Sequence, residues 1–188
     1  MMRRVPILLL MFILPSSVMA IELVTNGGFE SDLPPEWQEE FVGAATSVVR
    51  STGYDDDPDY EVLVEKGTGN GSAMLNQTIV IPSIDVVFSV NAKLQVSASS
   101  GGPWAATGVA LHYEDHLGDV LGTTLIVRTT LDCPWIDSET FHMIPVPDEE
   151  WNSHGFDVHN ELTNLSGVDL QAIHQIRINL FGQSGGDC

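Results

Sequence analysis

LVTNGGFESDLPPEW, residues 23–37, is the stretch on which the reading of the chain turns. The apolar, β-prone run of Leu23, Val24 and Thr25 breaks at Asn26-Gly27-Gly28, residue types that enter left-handed turns at low cost. It resumes with Phe29-Glu30 and reaches Trp37 after Pro34-Pro35, a pair that no helix interior tolerates. Immediately upstream, residues 1–20 have the parts of an export signal: Arg3 and Arg4, an apolar middle over 7–14, and a cleavage site at Val18-Met19-Ala20. The apolar middle is shorter than the about 20 residues needed to cross a bilayer. The expectation is a secreted, extracellular protein whose mature part, residues 21–188, forms one domain and does not insert in a membrane.

Downstream, short strand signals follow one another at 47–50, 60–64, 73–81, 86–96, 107–113, 120–129, 141–146 and 175–181. Several alternate cleanly: Val109, Leu111 and Tyr113 fall on one face of a strand, Ala110, His112 and Glu114 on the other. Turn-forming clusters at 66–71, 99–103 and 116–119 separate the runs. A helical turn or two is predicted at 168–174, where Asp169 near the start suits the helix dipole. Many short strands without amphipathic helices between them predict an all-β, antiparallel β-sandwich with at most one short helical turn.

With these residues in view, the chain resembles secreted carbohydrate-binding modules with a galactose-binding-domain-like jelly roll. Such modules begin with an Asn-Gly-x-Phe-Glu element followed shortly by Trp, matched here by Asn26 to Glu30 and Trp37. A small-residue turn, a strand carrying Gln and a strand ending near Lys also match, at Gly71-Ser72-Ala73, Gln77 and the run 86–96. The resemblance implies that 23–25 is a first strand, that Trp37 packs in the core, and that the protein binds a carbohydrate or glycoconjugate without catalysis. It also implies a structural calcium ion with Glu30 as a ligand. In such modules a carboxylate on a final strand completes that site, whereas Gly185-Gly186-Asp187-Cys188 reads as the turn before it. A truncated chain or a partner segment supplying the final strand, an open sheet edge beside Leu23 to Thr25 and weak calcium affinity are the corresponding expectations.

Charge narrows the partners. The formal net charge is −19, and removal of Arg3 and Arg4 makes the mature part more negative. Arg50, Lys66, Lys93, Arg128 and Arg177 are then its strong cations. Such a surface repels phosphate backbones, which argues against nucleic acid. It suits salty or calcium-containing extracellular water, although solubility alone accounts for it equally well.

Other constellations carry less. His112-Tyr113-Glu114-Asp115-His116 lacks the His-Glu-x-x-His order of a zinc-protease helix. On a strand its two His lie about 13 Å apart at about 3.3 Å per residue, too far for one ion. Asp55-Asp56-Asp57-Pro58-Asp59 lacks the glycine turn and closing Glu of an EF-hand and reads as a solvated loop. The glycines at 66–72 lack the Lys of a phosphate loop, and carboxylates scattered along the whole chain single out no catalytic pair, so the reading is non-enzymatic. The rival readings are a structural or adhesive surface module without a sugar site and a glycan-active hydrolase. Trp104, after Gly101-Gly102-Pro103, and Trp135, after Cys133-Pro134, fall in loops and are the candidate sugar-stacking rings. Cys133 and Cys188, the only two cysteines of an exported chain, are expected to form a disulfide.

Overall fold

A computed structural model of the chain describes residues 22–53, 58–97 and 104–185. Its elements run β1 (Gln38–Gly43), β2 (Thr46–Thr52), β3 (Tyr60–Lys66), β4 (Gly71–Val80), β5 (Val87–Lys93), β6 (Ala105–Glu114), β7 (Val120–Thr129), β8 (Phe141–Pro145), β9 (Trp151–Asp157), the helical turn α1 (Val158–Glu161), a 3-10 turn Leu162–Asn164, and β10 (Gln175–Ser184). A six-stranded sheet has the order β1-β4-β10-β6-β7-β8, and the facing layer consists of two antiparallel pairs, β2-β3 and β5-β9. This is an all-β sandwich.

Alternation builds the core. Leu75 of β4, Ile176 and Ile178 of β10, Val109, Leu111 and Tyr113 of β6 and Ile126 of β7 point to one side of the large sheet. There they meet Val48, Val62 and Val64 of one pair and Phe88, Val90, Ala92 and Phe156 of the other. Phe88 and Phe156 are direct cross-strand partners with ring centroids 5.5 Å apart. At the β1–β4 end the backbones come so close that a Cβ on Gly71 (φ +134°) would lie 1.9 Å from the Val42 carbonyl oxygen, so only glycine fits.

The structure corrects several expectations. Residues 23–25 are not a strand, so no sheet edge opens beside them; the edges of the large sheet are β1 and β8. A side chain replaces the missing pairing: the Thr25 N–H donates to Gln77 Oε1 and Gln77 Nε2 donates to the Thr25 carbonyl, both at 2.8 Å. The turn that follows is closed by Asn26 (φ 53°), whose side chain accepts from the Ser31 N–H at 3.0 Å and donates to the Ser31 and Asp32 carbonyls. Trp37 is buried, as the resemblance implies, and its indole N–H donates to the Asn26 carbonyl at 3.1 Å.

The helical turn forms at Val158–Glu161, with Asp157 accepting from the Asn160 N–H, and not at 168–174. Asp169 instead closes a turn on Gln171 and Ala172. His174 is already committed to the sheet, donating its N–H to Glu114 and accepting from the Ile81 N–H. Pairing is antiparallel except for β7 with β8, which is parallel. The chain between those strands crosses back along the sheet instead of turning as a hairpin, and that return sets the direction.

Candidate functional site

The outer face of the large sheet is a different surface from the inner one. Cross-strand partners share a face, so the registers define its rows. Thr78, Arg177, His112, Thr123 and Phe141 form one row from β4 to β8, and Asn76, Asn179, Ala110, Leu125 and Met143 form the next. Met74, Phe181, Gly108 and Val127 form a third. With strands about 4.8 Å apart, each of the first two rows is a path of about 20 Å across the sheet.

Trp104, just before β6, and Trp135, in the loop between β7 and β8, lie over one part of this face. Their ring centroids are 5.2 Å apart at 63°, and Trp135 also meets Phe141 at 6.3 Å and Phe181 at 6.1 Å. Together with Met74 and Met143 they pack on Ala106, Ala110, Leu125, Val127 and Phe181. Both rings are half-buried. They are brought together, which their separation in sequence does not reveal, and they adjoin the polar rows through Phe141 and Phe181.

The polar part of the face is closely paired. Glu114, buried, lies 2.8 Å from Arg177 Nε as an ion pair, although that N–H is not aligned for a hydrogen bond. Its other oxygen accepts from Gln175 Nε2 at 2.9 Å. His112 Nδ1 lies 2.9 Å from Thr123 Oγ1. Burial first, and the Arg177 cation second, push the His112 pKa down to about 4, so the ring is neutral near pH 7. The rows thus offer amides, hydroxyls, a neutral imidazole and a compensated ion pair.

The His112 to His116 segment is therefore split. His112 and Glu114 belong to the sheet face, whereas Asp115 closes the hairpin turn by accepting from the N–H groups of Leu117 (2.7 Å) and Asp119 (3.0 Å), and His116 is exposed. Those backbone donors hold the Asp115 carboxyl below its ordinary range.

Two further features lie elsewhere. A buried chain runs from Tyr113 Oη to Thr124 Oγ1 (3.2 Å), from Thr124 to Glu161 Oε1 (3.0 Å), and on to His142 Nδ1 (2.6 Å). It ties the helical turn to β6, β7 and β8, and burial pushes the Tyr113 phenol well above its ordinary pKa. A cleft of about 430 Å³ opens between β3 and the end of β5, with Lys66, Lys93, Glu65 and Glu149 among its walls and no aromatic ring. Lys66 Nζ is spent on the turn carbonyls of Gly67, Thr68 and Gly69.

The Glu30 carboxylate is exposed, with the Tyr60 N–H 3.5 Å from Oε1. Among the described residues no group of three or more His, Cys, Asp or Glu is arranged to hold a metal ion. The acidic residues Asp55, Asp56 and Asp57 lie outside the described residues. So does Cys188; Cys133 is half-buried in the loop that carries Trp135. Among the described residues no helix is long and apolar enough to cross a membrane.

No family model matches the chain, and no curated protein matches it. Among solved structures, the chain is similar to the enzymatically active domain of bacteriophage CBA120 tailspike protein 4, at 17% identity and a TM-score of 0.49. The alignment covers 87% of this chain and 19% of that one, so the chain spans about a fifth of that structure's length.

Proposed function

We propose that this chain is an exported, non-catalytic module that binds carbohydrate on the outer face of the large sheet. One observation carries the reading: the half-buried pair Trp104 and Trp135 adjoins rows of hydrogen-bonding side chains on the same face. Sugar recognition needs that combination, since a pyranose offers an apolar face to an aromatic ring and a rim of hydroxyls to amides and hydroxyls. Thr123, the cross-strand partner of Phe141, and His112 beside it are the polar groups nearest Trp135 in register, Asn179 lies on the strand of Phe181, and Asn76 and Thr78 continue the rows towards β4. The N-terminal Asn26 to Glu30 element and the leader support the same reading.

The test is affinity electrophoresis and glycan-array binding of the wild type and Trp135→Ala. Loss of the ring is expected to weaken glycan binding by about 1–3 kcal/mol. Far-UV circular dichroism and the melting temperature check that the sandwich persists. Unchanged affinity in the folded variant would place the sugar elsewhere. Absence of binding to every polysaccharide would favour the adhesive or structural reading instead.

A further inference from the structure

We infer that the Glu114–Arg177 pair makes the outer face selective for uncharged glycans and closed to polyanionic ones. This rests on the glycan-binding reading and adds the charge class of the ligand.

Among the described residues, the rows Thr78-Arg177-His112-Thr123 and Asn76-Asn179 contain one permanent cation, Arg177. Its charge is met by Glu114 at 2.8 Å, and Glu114 is fixed in place by Gln175 and by burial. The Arg177 side chain keeps about a third of its surface, so it faces the ligand side while carrying no net charge with its partner. His112, beside it, is neutral at working pH and engaged with Thr123. At the β1 edge the same face adds Gln38 and Glu40, a neutral and a negative side chain. The chain as a whole carries −19.

A uronate or sulfated chain would approach a negative molecule and find no uncompensated cation on this face, so it gains no charge-assisted hydrogen bond to offset the loss of its own hydration. A neutral glycan loses nothing by the same arrangement, because hydroxyls pair with amides, hydroxyls and imidazole without needing charge. Glu114 is thus a specificity-determining residue that acts through Arg177.

The experiment compares the full wild-type chain with Glu114→Gln and Thr78→Lys by binding to immobilised xylan, mixed-linkage β-glucan and mannan, and to polygalacturonate, alginate and heparin, at low ionic strength. The wild type is expected to retain at least one neutral polysaccharide and none of the polyanions. Glu114→Gln frees the Arg177 charge, and binding to polygalacturonate is expected to rise about fivefold relative to the neutral ligand. Thr78→Lys, at an exposed position next to Arg177, places a cation there without touching a buried group, so it gives the same gain even where Glu114→Gln fails to fold. Added salt should erase both gains. Polyanion binding by the wild type, or no gain in folded Thr78→Lys, overturns the selectivity inference while leaving the glycan reading standing. Retention of no polysaccharide by any of the proteins overturns the glycan reading itself.

Discussion

Along β6, Val109, Leu111 and Tyr113 turn into the sandwich while Ala110, His112 and Glu114 turn out of it, so one strand serves two surfaces with opposite rules. On the inner side, buried aliphatic and aromatic groups of the large sheet pack against partly buried ones of the facing layer, and removal of apolar area from water stabilises the fold. On the outer side Glu114, Asn179 and Thr123 are also buried, yet they are polar and would destabilise the fold if left unpaired. The pairing of Glu114 with Arg177 and Gln175, and of Thr123 with His112, keeps that cost down without making these groups a source of stability. The difference teaches that burial alone does not separate core from site here: what fills the buried space does.

The largest expected effect breaks the symmetry between the faces directly. Ile126→Ala removes a fully buried side chain facing the second layer and should lower unfolding stability by about 2–5 kcal/mol. Thr78→Ala, exposed on the outer face of the same sheet, should stay within about 0.5 kcal/mol. Urea denaturation of both measures the contrast. Equal losses would show that the outer rows are as much a part of the stabilising core as the inner ones.

Much of the inner face is legible in the amino-acid pattern alone. The alternation in 107–113 and 120–129, with turn clusters between the runs, yields β6, β7 and their inward residues because strand periodicity is a local property. The outer site is less legible, because Glu114 and Arg177 become neighbours only through the register of β6 with β10, which sequence spacing does not state. Trp104 and Trp135 stand out as loop rings, but their mutual packing depends on where the return from β7 to β8 crosses the sheet. β1 escapes for a different reason. All its residues are exposed, and it is held by backbone pairing to β4, so it has no apolar alternation to detect. The failed strand at 23–25 is instructive too: Gln77, buried on the inner face, supplies through its side-chain amide the donor and acceptor that a neighbouring strand would have supplied.

Acid sharpens the contrast, because the outer face carries a titrating group where the inner residues of β6 carry none below pH 8 or so. The folded His112 pKa of about 4 lies below its unfolded value of 6.5, so the unfolded chain takes up this proton first. The contribution is fully present above pH 6.5, is lost progressively as pH falls towards 4, and is flat below. The expected loss from this group is about 1–3 kcal/mol. His112→Gln, which cannot charge, should flatten that part of the stability–pH curve, and NMR titration of the His112 ring should show it still neutral at pH 5. A ring that titrates near 6.5 would mean that the face is more open to water than its pairing implies.

The smallest effect concerns calcium at the N-terminal loop, which closes one end of the inner core through Trp37 and Phe29. The resemblance assigns Glu30 to a structural calcium, but a cation already occupies this neighbourhood. Arg50 donates through Nε to the Phe29 carbonyl and through Nη2 to the Glu30 carbonyl at 2.7 Å, and its guanidinium lies 3.4 Å from the centre of the Tyr60 ring. That clamp holds the backbone which a calcium ion would otherwise organise, and its positive charge opposes a second cation nearby. Calcium should therefore add less than about 1 kcal/mol to the wild type. Melting in calcium and in chelator should differ slightly for the wild type and not at all for Glu30→Gln. Arg50→Gln should melt lower in chelator and recover part of the loss in calcium, since the ion can then take the place of the guanidinium. Identical melting with and without calcium in all three proteins would remove the metal from this loop and leave Arg50 as its whole support.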